Sequence, residues 1–254
     1  MKPTFLNHNK PLLTAMIEAA TPKEIIKAIK SAYKNGADAF GIQLERIKKE
    51  YRTEENFRKM FSYCKERPIY ITSYKRYESE DLTYDECMDL LLLGLKCGAT
   101  LCDVMGDCYH KEEKELTFDE EAVKKQTELI EKIHSLGGEV LMSSHTGCFL
   151  DKETVLMYAD THLKRGADIT KIVTRCDNSE EEIQNFNIIH FLSQNLEKPF
   201  LFLAGGTNTK LIRRLGPSFG VCMYLVVDKY LPLSYKEQPP LKEVKNIRNL
   251  LFKQ

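Results

Sequence analysis

A lysine interrupts an apolar, β-branched run in the second half of the chain, the segment GADITKIV at residues 166–173. Such a run is typical of a buried strand. Because a charged amine is costly to bury, Lys171 must lose its proton or find a partner. A neutral lysine amine attacks carbonyl carbon atoms, so the position favours Schiff-base chemistry. The alternative is a lysine at a strand end whose ammonium reaches solvent.

A histidine ends the preceding apolar run, VLMSSH at residues 140–145. Formation of an imine requires a group that moves protons, and imidazole titrates near neutral pH. Neighbouring parallel strands lie about 4.8 Å apart, so His145 and Lys171 could share one pocket. The alternative is a histidine held by a hydrogen bond at its strand end. The other five histidines lie on predicted helices or loops, where we expect surface positions: His8, His110, His134, His162 and His190.

Short apolar runs alternate with amphipathic stretches along the whole chain, and the alternation is typical of parallel sheets. The predicted strands are residues 12–18, 39–45, 69–74, 101–105, 139–145, 169–174, 199–204 and 219–226. A first helix is predicted to begin at residues 21–24, where a threonine cap is followed by a proline. The other predicted helices are residues 83–96, 118–136, 152–165, 179–196, 207–215 and 241–251.

Eight alternations favour a closed (β/α)₈ barrel over a doubly wound sheet, and no linker divides residues 1–254. We therefore predict a single-domain barrel. Three predicted helices end at Gly36, Gly98 and Gly166, since glycine readily adopts the left-handed conformation that ends a helix. The carboxyl ends of barrel strands converge on one face, where His145 and Lys171 would meet.

The composition argues against several other classes of protein. With 37 basic and 37 acidic residues the net charge is zero, which gives no electrostatic reason to expect nucleic acid or an anionic membrane as partner. No run is long enough to span a membrane or serve as a signal peptide. Eight cysteines without a CxxC pair give no metal-site pattern and fit a reducing cytoplasm. We expect a cytoplasmic protein whose partner is a small molecule.

The segments around His145 and Lys171 resemble those of type I 3-dehydroquinate dehydratase. This family of (β/α)₈ barrels dehydrates 3-dehydroquinate to 3-dehydroshikimate in the shikimate pathway of aromatic amino acid biosynthesis. The reaction proceeds through a lysine Schiff base with the histidine as general acid and base. The resemblance implies these roles for Lys171 and His145, no metal or organic cofactor, and a homodimer.

Two further segments resemble the part of the family that binds the substrate's carboxylate. Arg213 falls in register with the carboxylate-binding arginine, although Ile212 replaces the usual serine before it. Residues 234–238 resemble a Ser-Ala-Pro-Gly-Gln loop that closes over the carboxylate and a ring hydroxyl, and Ser234 and Gln238 keep its two ends. A guanidinium with hydroxyl and amide donors suits a carboxylate.

The sequence departs from the family at positions that would bind the ring hydroxyls of the substrate. Where the family has Glu-x-Arg-x-Asp at the end of the second strand, this chain has Gly41, Gln43 and Glu45. On the third strand Thr72 is kept, whereas Tyr74 replaces an arginine.

The stretch after the third strand keeps a glutamate, Glu78, in the place that supports the histidine. Arg76 could reach the space of the missing arginine. On the fourth strand Met105 lies where an acidic residue is common. These changes leave open which substrate the site accepts.

We hypothesise that Lys171, kept neutral by burial, attacks a carboxylated ketone while His145, oriented by Glu78, relays protons. Arg213 and Gln238 would hold the carboxylate with Ser234, and Gln43, Glu45 and Arg76 would contact the rest of the substrate. One alternative is an imine-forming lyase or aldolase for another keto acid, and a second is a non-catalytic metabolite-binding barrel. The glycine-rich residues 204–209 are interpreted as a tight turn rather than an anion site.

Overall fold

The computed structural model describes residues 3–75 and 82–252, in which eight parallel strands alternate with eight helices. The strands are β1 (Leu12–Ile17), β2 (Ala39–Gln43), β3 (Ile69–Thr72), β4 (Leu101–Met105), β5 (Glu139–His145), β6 (Ile169–Arg175), β7 (Phe200–Gly205) and β8 (Met223–Val226). The helices are α1 (Pro22–Asn35), α2 (Glu54–Ser62), α3 (Tyr84–Lys96), α4 (Glu120–Ser135), α5 (Lys152–Lys164), α6 (Ser179–Asn195), α7 (Lys210–Leu215) and α8 (Leu241–Leu251).

The strands form one sheet in the order β7-β6-β5-β4-β3-β2-β1-β8, and every pair in it is parallel. The two outer strands approach each other where the backbone N–H of Cys222 donates to the carbonyl of Phe200 over 2.9 Å. The sheet therefore curls into a nearly closed barrel surrounded by helices. The predicted (β/α)₈ architecture is confirmed.

The helices begin and end where local chemistry satisfies their terminal backbone groups. Thr21 caps α1 in a capping box with Glu24, as the predicted start of that helix requires. Gly36, Gly98 and Gly166 follow three helices with φ of 92°, 117° and 104°, which confirms the predicted glycine ends. The described helices include none that is long and apolar enough to cross a membrane.

The structure differs from the predicted elements in several places, and the second and third strands end two residues earlier than predicted, at Gln43 and Thr72. Helix α2 is absent from the prediction, although Thr53 caps it in the usual way. The last strand begins only at Met223, because residues 216–219 form a 3₁₀ turn that includes Pro217. Helix α7 starts three residues late, since Thr207 instead donates its backbone N–H to Asp177 over 2.9 Å.

The strands are buried on both faces, which explains their near-continuous apolar runs. Outside the barrel, Ile25 and Ile29 of α1 are fully buried against the sheet. Inside it, large side chains such as Tyr70 fill the lumen below the carboxyl ends of the strands. Polar side chains at the carboxyl ends of the strands lie directly above this packed interior.

Candidate active site

A cavity of about 120 Å³ opens at the carboxyl ends of the strands. Five of the nine predicted site residues line it: Lys171, His145, Gln43, Arg213 and Gln238. Glu45 and Ser234 are described but do not line the cavity, and Glu78 and Arg76 lie outside the described residues. The structure therefore brings the predicted amine, imidazole and guanidinium to one place.

The Lys171 amine is deeply buried and fully engaged. Its residue lies opposite Ser143 of β5 in the ladder and is only 4% exposed. Nζ donates to the hydroxyls of Tyr74 (2.9 Å) and Tyr70 (3.1 Å) and to Oδ2 of Asp103 (3.1 Å). The lysine is therefore not one that reaches solvent. That the amine is neutral stays a prediction, and Asp103 places a carboxylate beside it.

Asp103 is the counter-charge to Lys171, and the sequence analysis missed it. Burial opposes its ionisation, but the charge of Lys171 and the hydroxyls of Ser143, Tyr70 and Tyr74 outweigh burial and lower the pKa of the carboxyl. An acid in the middle of a buried strand is subject to the same argument as a buried lysine. That signal, applied to residues 101–105, would have predicted the pair.

His145 is held by a glutamate from the loop between β4 and α4. Its Nδ1 lies 2.7 Å from Oε2 of Glu115, and its backbone N–H donates to the same oxygen over 2.9 Å. The ring of Tyr74 packs edge-on against the imidazole, with 5.5 Å between centroids. Glu115 thus supports the imidazole, whereas the predicted support by Glu78 lies outside the described residues.

A second, fully buried histidine lies behind this arrangement. The Ser144 hydroxyl donates to the carbonyl of Glu115 (2.5 Å) and lies 3.1 Å from Nε2 of His162, whose Nδ1 lies 2.9 Å from the Thr170 hydroxyl. Burial lowers the pKa of His162 to about 3. The predicted surface position of His162 is therefore wrong, because its ring is satisfied inside the fold; the other four histidines outside the cavity are exposed.

Arg213 reaches the cavity from α7 and is 8% exposed. Its Nε donates to the carbonyl of Ala204 over 3.0 Å, and Nη2 lies 3.4 Å from Oε2 of Glu237. Burial lowers the pKa of the guanidinium, and the charge of Glu237 opposes that shift. The predicted carboxylate clamp is thus already paired with a carboxylate of the protein.

The loop after β8 forms one wall of the cavity, and its two predicted residues behave differently. Gln238 is 5% exposed and its Oε1 has no hydrogen-bond partner, while the Tyr230 hydroxyl donates to its backbone carbonyl over 2.8 Å. Ser234 instead accepts from the backbone N–H of Leu231 over 3.0 Å and so stabilises the loop itself. Of these two residues, only Gln238 lines the cavity, with its oxygen buried and unpaired.

On the side of the cavity formed by β2, packed side chains take the place of charged ones. A Cβ placed on Gly41 would lie 2.2 Å from Sδ of Met16 and 3.1 Å from the Tyr70 ring, so these two side chains fill the space above the glycine. Gln43 lines the cavity. Glu45 does not line the cavity. Both of its carboxylate oxygens accept from the hydroxyl of Thr72, at 3.0 and 3.1 Å.

The glycine-rich residues after β7 form a turn, with Gly206 at φ 118°. The Thr207 amide donates to Asp177, and the Gly206 amide lies 3.4 Å from Oε1 of Glu237. The segment therefore adds a weak contact to the same carboxylate that Arg213 holds.

Comparison with known proteins identifies the family and the fold. The family model for type I 3-dehydroquinase matches residues 13–254. The solved 3-dehydroquinate dehydratase from Geobacillus kaustophilus superposes with a TM-score of 0.79 at 16% identity, covering 97% of this chain and 93% of that one. The type I enzyme from Clostridium difficile, solved with covalently modified comenic acid, gives 0.78 at 18% identity, covering 96% and 93%. The Enterococcus faecalis enzyme gives 0.79 at 14% identity and 99% of both chains.

No curated protein matches the sequence significantly. The solved structures are too distant in sequence to show more than the barrel that they share with this chain. The family model, in contrast, covers almost the whole length, including the strands that carry the amine and the imidazole. The chain belongs to the type I 3-dehydroquinase family.

Proposed function

We propose that the protein is a hydro-lyase that dehydrates 3-dehydroquinate, or a closely related carboxylated cyclic ketone, through an imine on Lys171. Membership of the family supports this reaction class. The observation that carries the proposal is the placement of a buried amine and an imidazole in one cavity, with Tyr74 contacting both. A barrel that only bound a metabolite would have no need of a buried lysine beside an oriented histidine.

The first step joins the enzyme to its substrate. The Lys171 amine gives up a proton and attacks the ketone carbon, so that a C–N bond forms and the carbonyl oxygen leaves as water. His145 lies where it can move the protons that this exchange requires. The resulting iminium keeps the positive charge of the former ammonium, and Asp103 remains beside it as counter-ion.

The second step removes water from the substrate. The iminium draws electrons from the neighbouring carbon, and His145 takes the proton that this carbon releases. The electrons that remain expel the hydroxyl on the next carbon, which His145 protonates as it leaves. Hydrolysis then consumes the water lost in the first step and frees Lys171, so the net change is one ketone to a conjugated ketone and one water.

The residues that face the cavity suit a carboxylated, hydroxylated ring. Arg213 would hold the carboxylate and thereby fix the reacting carbon near Lys171. The side-chain amide of Gln238, which lines the cavity, would form a hydrogen bond with a ring hydroxyl. Holding both ends of the substrate limits its motion, which is how positioning lowers an activation barrier.

One observation favours a second candidate, an imine-forming lyase or aldolase for a different keto acid. Met16 and Tyr70 fill the space over Gly41, so that part of the wall offers packing rather than charge. A site that loses polar partners discriminates against the hydroxyls that those partners bound. The amine chemistry would be unchanged, and a screen of keto acids would identify this case.

Turnover of 3-dehydroquinate tests the proposal, because the conjugated product absorbs in the ultraviolet and the substrate does not. The wild-type protein should generate that absorbance, Lys171→Met should generate none, and His145→Ala should be at least about a hundredfold slower. Lys198→Met removes an exposed lysine and should match the wild type. A wild-type protein that forms no product would contradict the dehydratase proposal.

A further inference from the structure

The loop after β8 carries a carboxylate that lies on the proposed substrate-binding arginine. One oxygen of Glu237 is 3.4 Å from Nη2 of Arg213, and the other is 3.4 Å from the amide of Gly206. The glutamate lines the cavity and is partly exposed, whereas the arginine is buried. The buried guanidinium of Arg213 is therefore paired with a long, partly exposed side chain from the edge of the cavity.

Among the described residues, the lysine and the arginine that line the cavity each lie beside a carboxylate. Lys171 pairs with Asp103, and Arg213 pairs with Glu237. A ligand carboxylate that binds at Arg213 would lie beside the carboxylate of Glu237. Like charges at such a distance repel, more strongly where solvent is excluded.

We propose that Glu237 competes with the carboxylate of the substrate for Arg213 and so determines which carboxylated ligands the cavity accepts. This inference rests on the proposed function, in which Arg213 binds that carboxylate. A ligand must displace Glu237 before it is held, so its apparent affinity is reduced by the fraction of the protein in which the arginine is already paired.

The surroundings of the loop allow this exchange. The contacts of Glu237 are both long, at 3.4 Å, and its side chain is 39% exposed, so the pair is weak and easily hydrated. The loop is anchored next to Glu237 by the Tyr230 hydroxyl, which donates to the carbonyl of Gln238 over 2.8 Å. The carboxylate can therefore turn outward while Gln238 stays at the cavity.

Competition of this kind favours ligands with more than a carboxylate. A small monocarboxylate gains only the contact that it takes from Glu237, so it gains little. A carboxylated ring with a hydroxyl gains in addition a hydrogen bond to the side-chain amide of Gln238, which lines the cavity. Glu237 thus selects for ligands that satisfy both groups.

Binding of quinate, the alcohol that corresponds to 3-dehydroquinate, tests the inference without any reaction. Affinities are measured by titration calorimetry for quinate and for its uncharged methyl ester. Glu237→Gln keeps the size of the side chain and removes its charge. Glu243→Gln is the matched control, because Glu243 pairs with the neighbouring Arg214 on the outside of the barrel.

Glu237→Gln should bind quinate about three- to tenfold more tightly than the wild type, with the methyl ester changed by less than about twofold. Glu243→Gln should change neither. If Glu237→Gln binds quinate no more tightly than the wild type, or gains equally for the ester, the inference is wrong. Failure of the proposed function is distinct, since it would appear as absent turnover of 3-dehydroquinate while quinate still binds.

Discussion

At the scale of single residues, the central feature is a buried amine that lies beside a buried carboxylate. Three oxygens surround Nζ of Lys171, and two of them are phenols that also donate to Asp103. Burial and the nearby carboxylate raise the pKa of Tyr70 well above its usual value, so its proton stays in place. A buried ion pair is favourable only when such hydrogen bonds complete it.

Tyr74→Phe removes a hydroxyl that binds both Lys171 and Asp103. We expect kcat for 3-dehydroquinate to fall about ten- to hundredfold, because the amine and its counter-ion lose their shared partner. Tyr158→Phe, which removes a hydroxyl bonded to the carbonyl of Lys114 on the outside of the barrel, is the control. A Tyr74→Phe enzyme within twofold of the wild type would contradict this role.

Glu115→Gln tests the support of the imidazole. The amide keeps the shape of the side chain but removes the charge that stabilises a protonated His145, so kcat should fall about tenfold or more while KM stays within about twofold. Steady-state kinetics would measure both constants. Glu113→Gln changes an exposed neighbour in the same loop and should have no effect. An unchanged kcat would show that Glu115 only shapes the loop.

At the scale of elements, the strand pattern predicted the amine and the imidazole, whereas two carboxylates that lie in loops were not predicted. The positions of Lys171 and His145 are predicted from apolar runs, because the carboxyl ends of those runs must meet in a barrel. Glu115 and Glu237 lie in loops without periodicity, so their places depend on contacts made only in the folded chain. Asp103 lies between these cases: its strand was predicted, and its contact with Lys171 depends on how the two strands face each other inside the barrel.

The contact between β1 and β2 gives a prediction for stability. Gly41→Ala should lower the free energy of unfolding by about 1–3 kcal/mol, because the added methyl group overlaps Met16. In a Met16→Ala background the same change should cost clearly less. Urea unfolding of the four proteins measures this coupling. Equal costs in both backgrounds would show that Met16 does not fill the space over Gly41.

At the scale of the whole molecule, net charge is zero and stability depends on pH through single buried groups. His162 is neutral in the fold, where burial lowers its pKa to about 3, and it titrates near 6.5 when unfolded. Below pH 6.5 the unfolded chain therefore binds a proton that the folded chain does not. The contribution of His162 is complete above that pH and is lost as pH falls toward 3.

The free energy of unfolding should decrease by about 2 kcal/mol between pH 6.5 and 5 because of His162 alone. His162→Gln keeps hydrogen-bonding capacity and should show a shallower decrease over that range, even if it is less stable at pH 7. His190→Gln removes an exposed histidine and should keep the wild-type slope. Parallel slopes for His162→Gln and the wild type would contradict the buried, neutral state.

The most direct test of the whole account is reductive trapping. The protein is incubated with 3-dehydroquinate and borohydride, and its intact mass and tryptic peptides are measured. The account predicts one adduct on Lys171 with the mass of the substrate less one oxygen atom, or less a further water if elimination precedes reduction, and no adduct on Lys171→Met. An unmodified wild-type protein, or an adduct on any other lysine, would contradict it.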